Sequence, residues 1–129
     1  MGLDIYFLER ERPTVFDNEN EKREFTEVGY LRKHNYVYAY FNERIDPDTC
    51  DCEVTREDLE DLVSSCEKVL EAHDEQVSRD LLPTTAGLFF GSTEYDKYYY
   101  MDIEEGLALF RELLEAYDDS KELIVYFWY

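Results

Sequence analysis

Residues 122–129 read Glu-Leu-Ile-Val-Tyr-Phe-Trp-Tyr, an almost unbroken apolar run of β-branched and aromatic side chains. A strand with one wet face alternates polar and apolar residues, so a run without alternation reads as a strand buried on both faces. Such a strand needs neighbours on both edges and is expected at the centre of a sheet. The opening Leu-Asp-Ile-Tyr-Phe-Leu, residues 3–8, reads as a second strand and as its neighbour. Alternation puts Leu3, Ile5 and Phe7 on one face and Asp4, Tyr6 and Leu8 on the other.

Between these strands the periodicity is helical. Residues 54–73, VTREDLEDLVSSCEKVLEAH, carry Leu59, Leu62, Val63, Cys66, Val69 and Leu70 as one apolar stripe, opposite Glu57, Glu60, Asp61 and Glu67. Thr55 reads as the N-cap, with Asp58 closing a capping box. A second helix is expected over 28–42, where Leu31, Tyr38 and Phe41 roughly keep helical spacing and Pro47 enforces a stop. A third is expected from Asp102, a cap residue with Glu105 three places on, through Ile103, Leu107, Phe110, Leu114 and Tyr117 to the break at Asp118. The polar stretch 10–24 reads as a loop. GLFFG and KYYYM read as two strands of an aromatic hairpin, residues 87–101, turning over Ser92 to Asp96. The expected class is α+β: a small mixed or antiparallel sheet, terminal strands central, with about three helices mainly on one face. A length of 129 residues suits one domain.

Charge limits what such a domain can bind. The chain has 32 acidic and 13 basic residues, a net charge of -19. A field of that sign repels phosphate backbones and anionic membranes, so direct nucleic-acid or membrane binding is not expected. Positive partners are favoured, although acidity on its own also serves solubility. Aromatics at 16%, Tyr foremost with 12 copies, supply core material and interface anchors. The longest apolar run, from Leu123 to Tyr129, is far shorter than the ~20 residues of a spanning helix. No basic leader or small-residue cleavage site precedes the first strand, and a reduced, cytoplasmic setting suits three cysteines.

The candidate binding residues surround the aromatic block. Arg32-Lys33-His34-Asn35 is the compact basic cluster of this acidic chain. With Arg32 and Asn35 one helical turn apart, both can face an anionic or polar ligand group, with tyrosine rings stacking beside it. Thr84, Ser92, Thr93, Tyr95 and Tyr98 complete a site able to hold a nucleotide-like molecule or to form the rim of a protein interface. Cys50, Cys52, Cys66 and His73 are weak zinc candidates, since their spacing is not that of paired knuckles and Cys66 lies on an apolar stripe. No nucleophile elbow or phosphate loop occurs, and so many carboxylates cannot single out an acid–base pair. Neither catalysis nor a cofactor is expected.

The opening Gly-Leu-Asp, the segment Tyr30-Leu31-Arg32-Lys33-His34-Asn35 and above all LLPTTAGLFFGSTEYDKYY, residues 81–99, together resemble a family of short acidic proteins encoded by phages, prophages and some bacteria. Leu31 stands where that family has an aromatic, and Leu88 replaces its first Phe. The resemblance covers roughly the whole length and implies a setting inside a bacterial host cell, but transfers no catalytic residue. That setting favours a non-catalytic protein acting by stoichiometric binding of a host or defence protein with a basic surface. The alternative is a small-ligand binder with a Tyr/Arg-lined pocket. Exposed sheet edges also allow a homodimer.

Overall fold

The computed structural model describes residues 2–12 and 24–129. Strands β1 (Asp4–Glu11), β2 (Thr26–Arg32), β3 (Asp51–Glu53) and β4 (Lys121–Trp128) form one antiparallel sheet in the order β2-β1-β4-β3. The first and last strands are therefore central, as expected. Between them lie helices α1 (Asn35–Phe41), α2 (Arg56–Ala72), α3 (Glu75–Leu81) and α4 (Lys97–Glu115). Leu3, Ile5 and Phe7 meet Leu123, Val125 and Phe127 on the covered side, where Leu59, Leu62, Cys66, Ile103 and Phe110 close the core. The result is an α+β protein with a small sheet. Among the described residues no helix is long and apolar enough to cross a membrane.

Helix α2 forms as its sequence dictates. Thr55 Oγ1 accepts from the Asp58 amide, and the Asp58 carboxylate accepts from the Thr55 amide, so two free N–H groups are satisfied at once. The same carboxylate takes both arms of the Arg44 guanidinium, at 2.8 and 3.0 Å.

Several expectations need correction. Residues 28–42 are not one helix: β2 runs to Arg32, Lys33 turns the chain at φ 59°, and α1 begins at Asn35. The spacing of Leu31, Tyr38 and Phe41 crosses an element boundary, since Leu31 lies on β2 and the other two on α1, and β2 itself carries a bulge. Phe7 pairs with Gly29 but Leu8 with Glu27, so Val28 is an extra residue on β2. Val28 and Leu31 both pack on the core side although three apart, a spacing that counterfeits a helix.

The aromatic hairpin at 87–101 is likewise absent. Asp96 Oδ1 accepts from the amides of Tyr98 and Tyr99, so α4 starts at Lys97 and KYYYM is its first turn; Asp102 is interior to the helix, not its cap. Tyr99, Ile103, Gly106, Leu107 and Phe110 form one buried stripe, whose burial outweighs the strand preference of three tyrosines. Residues 83–95 carry no strand; a turn from Gly87 to Phe90 passes through Phe89 at φ 61°.

The third correction concerns β4. Its inner side chains are buried as expected, but on the outer face only Ile124 is, while Tyr126 is half-buried and Trp128 is exposed. Helix α3 was not foreseen; Asp74 caps it by accepting from the Val77 amide. The expected 10–24 loop begins later than anticipated, since Arg10 and Glu11 belong to β1, and residues 13–23 lie outside the described residues.

Candidate functional site

Two surfaces carry the candidate residues. The first is a cavity of about 250 Å³ where β2 ends, α1 begins and α4 starts. Arg32, Asn35, Thr84, Ser92 and Tyr98 all line it, although Arg32 closes a strand and Asn35 opens a helix. Thr93 and Tyr95 stand behind it as braces. Thr84 Oγ1 donates to the Thr93 carbonyl at 2.9 Å, and Tyr95 Oη accepts from the Thr84 amide at 3.0 Å.

Asn35 proves to be a structural clamp. Its Nδ2 donates to the carbonyls of Phe90 and Ser92 at 3.2 and 3.0 Å, and its Oδ1 accepts from the Thr85 amide at 3.1 Å. The side chain is 3% exposed. These bonds, with those of Thr84 to Thr93 and Tyr95, take the place of the ladder that a hairpin would have provided. Little of Asn35 is left for a ligand. The cavity's charged lining groups are Arg32, Lys33, Glu94, Asp96 and Asp102.

His34, read from the sequence only as a member of the basic cluster, is 2% exposed. Tyr36 Oη donates to the Asp102 carbonyl at 3.2 Å, so the 3.0 Å contact with His34 is made by Nδ1–H donating to Tyr36. His34 Nε2 then faces Glu105 at 3.2 Å and Asp102 at 3.6 Å, an arrangement that needs one proton among the three groups. Burial pushes the imidazole down to about 4, and burial beside Glu105 pushes the Asp102 carboxyl up to about 6. Below about pH 6 the proton therefore resides on the carboxyl side. The imidazole is sealed from solvent and orients Tyr36 rather than meeting a substrate.

The zinc candidates are scattered. Cys50 precedes β3, Cys52 lies on it, Cys66 is in the core and His73 ends α2 with its ring stacked on Tyr100 at 3.9 Å. Among the described residues no group of three or more potential ligands could hold a metal ion.

The second surface is the face of the sheet that none of the described helices covers. Register places Tyr30, Tyr6 and Tyr126 side by side across β2, β1 and β4, with Trp128 next along β4. Successive ring centroids are 5.2, 6.2 and 6.3 Å apart, and Tyr30 and Trp128 are 43% and 60% exposed. Asp4 sits between Trp128 and Arg32 in the ladder and accepts the Tyr30 hydroxyl hydrogen; Asp51 stands beside Tyr126. Sequence reading missed this row because its members come from three distant segments. The signal was the outward alternation of Tyr6 with Ile5 and Phe7.

Fold and surface thus define a small α+β protein whose half-covered sheet presents aromatics among carboxylates. Comparison with protein-family models, curated proteins and solved structures finds no match.

Proposed function

We propose that this chain is a non-catalytic binding protein that occupies a basic surface of another protein. The observation that carries the reading is the sheet face that no described helix covers, where a continuous aromatic row, exposed at Tyr30 and Trp128 and half-buried between them, lies on a molecule of net charge -19. A half-covered sheet with large exposed rings is a poor end state in water but a good interface centre, and the acidic shell steers a cationic partner onto it. The resemblance to small acidic phage and prophage proteins fits stoichiometric inhibition of a host or defence protein in the bacterial cytoplasm.

Trp128 is the protein's single tryptophan and lies on the proposed face, so its emission reports binding directly. Oligolysine and oligoarginine peptides are expected to shift that emission at 50 mM salt, with the shift largely lost at 500 mM, because exposed charges are screened over a few ångströms there. Absence of any response to either peptide at low salt rejects the reading.

A second reading rests on the cavity, which gathers Arg32, Thr84, Ser92 and Tyr98 at one place. In this reading the protein sequesters a small ligand, nucleotide-like in its anionic group, held by Arg32 and Lys33. Native mass spectrometry against a denatured control tests it: a retained mass of a few hundred daltons supports a ligand, and a bare chain opposes it.

A further inference from the structure

We propose that the uncovered sheet face is a receptor for an extended, arginine-bearing peptide segment, with guanidinium groups lying on the Tyr30–Tyr6–Tyr126–Trp128 row. The inference rests on the basic-partner reading and narrows it to a residue type and a backbone shape.

Spacing is the first argument. Adjacent rings in the row lie 5.2–6.3 Å apart. A cation is held over an aromatic ring within about 6 Å of its centroid, so a group seated between two neighbours touches both. Alternate residues of an extended peptide are about 6.6 Å apart and share one face. A segment with arginine at every second position therefore presents its cations at close to the spacing of the rings.

The rim is the second argument. Asp4 Oδ1 takes the Tyr30 hydroxyl, and Asp51, whose Oδ1 accepts from Thr49 Oγ1 at 2.9 Å, flanks the row at Tyr126; each carboxylate keeps a second oxygen. The carboxylates nearer the other end of the sheet are engaged: Glu122 by Arg10 at 2.9 Å and Glu53 by Arg12 at 2.6 Å. A planar guanidinium can stack and still direct its N–H fork to a carboxylate at the ring edge. A lysine ammonium is a strongly hydrated point charge that gains less from a flat ring.

Charge eliminates the competitors. Single-stranded nucleic acid also stacks on aromatic sheet faces, but it requires a row of cations along its backbone, whereas Asp4 and Asp51 flank these rings and Arg32, beside Asp4, is a single cation at the β2 edge. A second copy of this chain would bring another net charge of -19 against the same carboxylates.

The test uses the full-length protein with three probes of equal length: an alternating Arg-Gly octapeptide, an alternating Lys-Gly octapeptide and octathymidylate. Trp128 emission and calorimetry give the affinities at 50 mM salt. The expected result is binding of the Arg peptide about tenfold tighter than the Lys peptide, the difference that two stacked cations provide. Tyr6→Ser/Tyr126→Ser should abolish that preference while weak binding of both peptides persists. Because these half-buried tyrosines also support the sheet, Asp51→Asn serves as the milder variant and should weaken the Arg peptide several-fold more than the Lys peptide. Equal affinities for the two peptides overturn the arginine inference and leave the basic-partner reading standing. Binding of neither overturns both. Tight binding of octathymidylate assigns the face to nucleic acid and overturns the proposal.

Discussion

Burial sets the chemistry of Cys52, of Cys66 and of the His34–Asp102 pair. Burial pushes the Cys52 thiol up to about 11 and the Cys66 thiol up to about 12. At pH 8 both are almost wholly protonated, so thiol reagents should modify them at least ~100-fold more slowly in native protein than in denaturant. Mass-spectrometric counting of labelled sites over time checks this. His34 and Asp102 oppose each other in proton linkage. A histidine lowered to about 4 makes stability rise with pH between about 4 and 6.5, because only the unfolded state holds that proton. An aspartate raised to about 6 makes stability fall with pH between about 4 and 6, because only the folded state holds its proton. In the intact protein the two slopes largely cancel. His34→Gln should expose a falling limb and Asp102→Asn a rising one, each no steeper than about 1.4 kcal/mol per pH unit. The Asp102 limb should be the shallower, since water screens its half-exposed carboxyl. Urea unfolding at several pH values reads both.

At the scale of elements, close approach decides between local preference and packing. Gly106 is interior to α4, where glycine costs about 1 kcal/mol relative to alanine. A Cβ there would fall inside contact distance of Tyr36 Oη, the atom that joins His34 to the Asp102 carbonyl. Gly106→Ala should therefore destabilise by about 2 kcal/mol or more despite its better helix propensity, seen as a lower urea midpoint. Gly29 allows the comparable approach of Leu109 onto β2. Such contacts leave no mark in the local pattern, whereas the start of α4 was misread because three tyrosines favour a strand, and the edge strand because its apolar spacing runs on into α1. The helix with its own cap and stripe, α2, was read correctly because every signal it needs lies within its own span.

Over the whole molecule the sheet separates stability from binding. Phe127 points into the core and is 1% exposed, whereas Trp128, its neighbour, lies on the uncovered face. Phe127→Ala should cost about 3–5 kcal/mol, and Trp128→Ser less than about 1 kcal/mol, in chemical unfolding followed by circular dichroism. A comparable loss from both substitutions would mean that the outer face is structural, and would remove the basis for a docking surface there.

What the sequence determined by itself is whatever depends on period, caps and total charge. These are the central pairing of the terminal strands, the inward set Leu3, Ile5 and Phe7, helix α2 with its capping box, and the α+β class. Tertiary structure alone decided how distant segments meet. It placed Asn35 under the Thr85–Ser92 loop, buried His34 against α4, and aligned tyrosines from three strands in one row. Local signals act over a few residues along the chain, but a hydrogen bond or a ring contact is fixed by distance in space.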